Sequence, residues 1–115
     1  MSWPKASSFS SDGDSMKAIW KGQVIAEADK DQLIFIEGNW YFPPSVIKQK
    51  YLRESPTPYV CPWKGKCQYF DVGQGDDWSP DNAWSYPQPL PSAIGKVKKD
   101  FTHYVAFYRD VQVTE

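Results

Sequence analysis

Short apolar runs alternate with glycine, proline, asparagine and aspartate along most of this chain, a pattern of strands and turns. Lys17-Ala18-Ile19-Trp20 and Gln23-Val24-Ile25-Ala26 flank Lys21-Gly22 and predict two short strands joined tightly at Gly22. Leu33-Ile34-Phe35-Ile36-Glu37 is the clearest strand, a β-branched and aromatic run bounded by turn residues. Gly38-Asn39 turns the chain. Trp40-Tyr41-Phe42 resumes as a strand that Pro43-Pro44 must end, because proline cannot donate to a ladder. Residues 57–61 and 67–72 predict strands on either side of a bend at Lys64-Gly65, and Pro56, Pro58 and Pro62 mark the first as an edge or irregular strand. Residues 83–86, 103–108 and 111–113 complete a set of about nine strands, the last two as a hairpin through Arg109-Asp110.

Between these runs the pattern changes. Ser45 can cap a helix over 45–55, where Val46, Ile47, Lys50 and Tyr51 supply a partial apolar stripe and Ser55-Pro56 closes it. At about two to three turns it must be held by packing. Gly73-Gln74-Gly75-Asp76-Asp77 has neither the following helix nor the Gly-Lys-Ser/Thr of a phosphate loop and reads as a polar hairpin turn. Pro87, Pro89 and Pro91 lay down an extended passage, and 92–100, with three lysines, reads as a solvated helical turn or loop. Crossover helices are missing, which excludes a βαβ fold. The expected fold is mainly β, one antiparallel barrel or two packed sheets with one short helix, over residues 16–115. Residues 1–15 are serine-rich without apolar periodicity and are expected to be a disordered tail.

Composition narrows the function classes. At 115 residues the chain is one domain, and a 17% aromatic share with six Trp means that large rigid side chains fill much of its core. Thirteen basic residues against 14 acidic ones leave no basic excess, which argues against a nucleic-acid partner gripped through phosphates. No apolar run approaches the ~20 residues of a membrane span, and no apolar segment after Lys5 suggests a secretory signal. A soluble cytoplasmic protein is therefore expected. In that compartment Cys61 and Cys67 are expected to stay reduced. Two thiols and one imidazole, His103, are too few for a closed zinc site, so neither a metal nor a cofactor is expected.

The chemistry concentrates in Cys61-Pro62-Trp63-Lys64-Gly65-Lys66-Cys67-Gln68-Tyr69. An ammonium beside Cys61 would raise its thiolate fraction and make it a candidate nucleophile; the alternative is a small packed filler. Lys64 is the second candidate, able to neutralise an anionic ligand where Gly65 lets backbone approach, or else to sit in an ordinary tight turn. Tyr41, Tyr69, Trp84 and Tyr86, together with Lys64, are the candidate ligand-binding residues, since such rings offer apolar walls with polar tips. His103, on a predicted strand beside Tyr104, reads as structural rather than as a base. Glu27 and Glu37 are the carboxylates that adjacent strands would bring together.

Four runs in this order and spacing resemble the family called domain of unknown function 427. They are Glu37-Gly38-Asn39-Trp40-Tyr41-Phe42-Pro43; Cys61-Pro62-Trp63-Lys64-Gly65 with Tyr69; Ala83-Trp84-Ser85-Tyr86-Pro87 with Pro89; and Val105-Ala106-Phe107-Tyr108. The resemblance covers nearly all of the globular part and implies a β-rich domain of no established activity. Of the two lysines at the bend only Lys64 belongs to the family run, and the family pattern has a small residue where Cys67 stands. Some members are labelled nucleotidyltransferase. That reaction needs a Gly-Ser turn followed by two carboxylates one residue apart to hold Mg²⁺, and this chain has no such constellation. The expected function is binding of a small polar or anionic metabolite in an aromatic pocket. The alternatives are an enzyme using Cys61 or Lys64 and a protein-interaction module.

Overall fold

A computed structural model describes residues 15–115, so the expected tail lies outside the described residues apart from Ser15, which already belongs to the first strand. Strands β1 (Ser15–Trp20) and β2 (Gln23–Asp29) form a hairpin. Both turn residues, Lys21 and Gly22, have positive φ, the mirror-image turn whose twist suits antiparallel strands. The next hairpin repeats the device: β3 (Ile34–Ile36) and β4 (Asn39–Tyr41) are joined by Glu37 at φ 52° and Gly38 at φ 86°. The rest of the sheet structure is β5 (Leu52–Cys61), β6 (Gly65–Gln74), β7 (Asp77–Ser85), β8 (Val105–Phe107) and β9 (Val111–Thr114).

These strands make three antiparallel sheets, ordered β9-β1-β2, β3-β4 and β5-β6-β7-β8. They pack on one another and do not close into a barrel. The four-stranded sheet is covered on both faces, which is why its strands carry apolar residues at odd and even positions alike. One face, with Val72, Ala83, Val105 and Phe107, packs on Ala18, Trp20, Ile25 and Val111 of the three-stranded sheet. Trp20 also donates its indole N–H across this core to Ser79 Oγ, 3.1 Å away. The other face, with Cys67 and Ala106, meets Ile34, Ile36 and Tyr41 of the small hairpin, together with Phe101. Just past β4, Phe42 joins the small hairpin to β8. Its N–H donates to Val105 O at 2.8 Å, and Val105 N–H donates back to Phe42 O at 2.9 Å.

The helix expected over 45–55 does not form. Pro44–Val46 and Gln49–Tyr51 are single 3₁₀ turns, and β5 begins directly at Leu52. Between them Ile47 bridges Ala26, and Lys48 N–H donates to Ile25 O at 2.9 Å. A ladder contact with β2 outweighs a weak apolar stripe. The one α-helix among the described residues is α1 (Pro91–Val97), overlapping the stretch 92–100 read as a solvated helical turn or loop. Proline at its first position has the right φ and needs no donor there, and Lys98 ends it in the left-handed region. His103 is not on a strand either. It is exposed, at φ 63°, in the turn before β8. Strand β7 begins at Asp77 rather than at Ala83, and the ladder shift between Phe70 and Val72 absorbs the irregularity around Pro80 and Asp81.

Gly73 is more than a turn residue. It pairs with Trp78, and a Cβ there would lie 2.2 Å from Asp77 O and 2.6 Å from Trp78 Cα, atoms of backbone that cannot swing away. Gly73→Ala is therefore expected to destabilise the domain by about 1–3 kcal/mol, read as a lower urea midpoint. Gly75→Ala, where a Cβ meets open space, should lose less despite its positive φ. Equal losses in the two variants would contradict the close approach at Gly73.

Candidate functional site

The β5–β6 hairpin pairs Cys61 with Gly65, so Pro62-Trp63-Lys64 make the connection. Gly65 at φ 112° turns the chain hard, and a Cβ there would press on Gln88 O at 3.3 Å and on Leu90. That closeness lets Leu90 N–H donate to Lys64 O at 3.0 Å, which straps the proline-rich passage over the bend. Lys64 is thereby turned inward, and its side chain is only 7% exposed. Lys66, next but one along the chain, faces solvent.

The Lys64 ammonium donates to Glu37 Oε1 at 2.6 Å, and the Trp63 indole N–H donates to Glu37 Oε2 at 3.2 Å. Glu37 remains 55% exposed at the tip of the β3–β4 hairpin. Two rings lie close to the ammonium, Tyr86 with its centroid 5.1 Å away and Trp63 at 5.3 Å. Lys96 of α1 caps Trp63 from 4.8 Å.

A cavity of about 250 Å³ opens beside Lys64, lined by Tyr59, Lys64, Tyr69, Trp84, Tyr86 and Tyr108. Tyr69 and Trp84 are cross-strand partners on β6 and β7. Trp84 meets Tyr108 edge-on at 4.9 Å, and Tyr59 tilts against Tyr69 at 6.4 Å. Of the five residues singled out for ligand binding, Lys64, Tyr69, Trp84 and Tyr86 face this cavity. Tyr41 does not. It is fully buried behind Trp84, whose indole N–H donates to its hydroxyl at 3.0 Å. Tyr59 and Tyr108 were missed, although each left a trace: Tyr59 shares a strand face with Cys61, and Tyr108 ends one of the four quoted runs. Cys61 and Cys67 are both free and buried in the second core, and neither lines the cavity. Glu27 stands opposite Lys17 on β2, whereas Glu37 is engaged by Lys64, so the two carboxylates do not form a pair.

A larger recess of about 510 Å³ lies between the Lys30–Gln32 turn, Pro43 and the Lys99-Asp100 loop. Size does not decide between the two. The smaller cavity has the apolar walls and converging polar tips of a ligand site.

Electrostatics define what the smaller cavity can do. Burial works to lower the Lys64 pKa, but the hydrogen bond to Glu37 and the nearby Tyr41 and Glu37 groups outweigh it, and the net shift is upward. Lys64 is thus a fixed ammonium at neutral pH, not a nucleophilic amine. The same hydrogen bond from Lys64 holds Glu37 below its ordinary value of 4.5. Burial pushes the Tyr69 phenol up to about 12 and raises Tyr86 and Tyr41 as well, so these hydroxyls stay protonated donors. Burial also pushes the Cys67 thiol up to about 11, far from a reactive thiolate. The cavity offers one cation, neutral phenols and aromatic faces. Among the described residues no three of His, Cys, Asp and Glu gather as metal ligands. Asp77, on the β6–β7 hairpin, is instead bound by Lys21 at 2.7 Å.

A family model described as domain of unknown function (DUF427) matches residues 9–115. The chain belongs to this family. No curated protein matches it. In this DUF427 domain the four runs that carried the resemblance converge in space, supplying Glu37 and Tyr41, then Lys64 and Tyr69, then Trp84 and Tyr86, and finally Tyr108. Among the described residues of the cavity wall, only Tyr59 comes from outside those runs.

Two measurements check this geometry. The lowered pKa of Glu37 means that its pairing stabilises the fold above about pH 4.5 and is lost as pH falls through the folded-state value. Glu37→Gln should therefore cost about 0.2–1 kcal/mol near neutrality, the range of a solvent-screened pair. The difference from wild type should vanish in strong acid; a gap that persists there would deny the charge its role. Thiol titration of freshly purified protein kept without reductant should count two free groups, both of them slow to react until the chain is unfolded.

Proposed function

We propose that this domain binds a small polar or anionic metabolite in the aromatic cavity beside Lys64. One observation carries this reading: a buried ammonium and the rings of Tyr59, Tyr69, Trp84, Tyr86 and Tyr108 meet on one cavity of about 250 Å³. Rings give apolar contact area at low entropic cost, their hydroxyls orient a polar ligand, and Lys64 supplies the charge. Binding is favoured over covalent catalysis because Lys64 is held as an ammonium by Glu37 and because both thiols lie in the core. A cytoplasmic setting is part of the proposal, in keeping with two unpaired cysteines.

The test is a thermal-shift screen of organic acids, sugar phosphates and nucleotides against wild type, Lys64→Met and Lys66→Met. Methionine keeps the packing of the buried stem while removing the charge. A hit is expected to lose about tenfold to a hundredfold in affinity in Lys64→Met, the size of one charge-assisted contact of roughly 1.5–3 kcal/mol. Lys66→Met should leave it unchanged. A screen in which no anion stabilises wild type, or in which both variants weaken the hit equally, would remove the basis of the proposal.

A further inference from the structure

Among the described residues the cavity wall contains one cation, and no arginine and no second lysine faces it. A phosphate ester carries up to two charges and is ordinarily met by a bidentate arginine or by several donors, whereas one ammonium matches one carboxylate. The remaining wall is four phenols and an indole, surfaces that take the faces and edges of a planar unsaturated body better than a hydrated sugar. A volume of about 250 Å³ suits a ligand of one or two fused rings and is too small to enclose a nucleotide.

The domain also shows how it would hold such a group, because a carboxylate is already there. Each oxygen of Glu37 has its own donor, Lys64 Nζ at 2.6 Å and Trp63 Nε1 at 3.2 Å. Glu37 is a loosely fitted occupant. Its backbone lies in the left-handed region at φ 52°, its side chain is mostly exposed, and leaving Lys64 for water costs it little. Lys64 is buried and cannot follow.

We infer that the ligand is a small planar aromatic monocarboxylate, and that its carboxylate exchanges with Glu37 on the Lys64 ammonium. This rests on the binding function proposed above and narrows it. Glu37 is then a built-in competitor: it keeps the buried ammonium neutralised in the free protein and yields to a carboxylate that the aromatic walls also hold. One carboxylate replaces another on the ammonium, so the charge beside Lys64 is unchanged and no proton need be exchanged.

Benzoate is the probe, with neutral benzamide and doubly charged phenyl phosphate as controls, titrated calorimetrically into wild type, Glu37→Ala and Lys64→Met. Benzoate should bind wild type better than either control. It should bind Glu37→Ala roughly twofold to fivefold tighter, the gain from removing one partly screened competitor, and should lose its preference over benzamide in Lys64→Met. Glu37→Gln serves if the alanine variant does not fold, with the same direction expected. In spectra of wild type the Trp63 indole N–H signal, assigned by Trp63→Phe, should move with benzoate and stay with benzamide, since Trp63 loses its acceptor only on exchange. Benzoate affinity that is unchanged or weaker without Glu37, or benzamide or phenyl phosphate binding as well as benzoate, would overturn the inference. If benzoate fails while another anion binds in a Lys64-dependent way, the ligand class is wrong and the binding function stands. If nothing binds through Lys64, both fall.

Discussion

Two backbone hydrogen bonds between Phe42 and Val105 hold the β3–β4 hairpin against β8, and much else depends on that junction. They close the second face of the four-stranded sheet, where Ile34, Ile36 and Tyr41 would otherwise have nothing to cover. They also fix where Glu37 and Tyr41 stand relative to Lys64 and Trp84, partners 27 and 43 residues away along the chain. Phe42 itself is fully buried and meets Phe107 edge-on at 5.7 Å, so the junction combines a ladder with close packing. Backbone pairing of this kind leaves no room for a one-residue slip, because a slip would turn Tyr41 away from the core.

The candidate site inherits its character from this arrangement. Burial alone would weaken the Lys64 ammonium, and Glu37 restores it from a position that only the hairpin junction allows. The carboxylate sits on a residue whose backbone conformation is uncommon outside glycine, one of several such turn positions among the described residues. Rings from three different strands, from Tyr86 just past β7 and from the turn after β8 then line the space beside Lys64. The site thus depends on long-range register more than on any single loop.

Much of the fold was legible along the chain. The β-branched run at Ile34-Phe35-Ile36, the turn at Lys21-Gly22 and the break at Pro43-Pro44 all act through local sterics and form as read, while the turn read at Gly38-Asn39 falls one residue earlier, at Glu37-Gly38. The misreadings have a common cause. A helix over 45–55 was locally plausible, but Ile47 and Lys48 are claimed by the edge of β2. The stretch 92–100, read as a solvated helical turn or loop, is a longer helix over 91–97 because Ala93 packs into the second core. The strand was read only from Ala83, yet it begins at Asp77 and pairs with β6 through Trp78 and Ser79 as well. In each case a tertiary partner outweighed a local preference of a few tenths of a kcal/mol per residue.

The candidate site divides along the same line. Residue chemistry by itself marked out Lys64 beside a glycine bend and the rings Tyr69, Trp84 and Tyr86, because few other positions combine charge, bend and aromatic tips. It determined an antiparallel, aromatic-rich β domain, since alternation, turn residues and proline breaks act over a few positions. Only the tertiary structure decided that Lys64 points inward while Lys66 does not, that Glu37 rather than a thiol is its partner, and that Tyr59 and Tyr108 complete the wall while Tyr41 lies behind it. Those outcomes rest on strand register and on which face of a sheet is covered. Such contacts between residues far apart in sequence leave no mark in local composition.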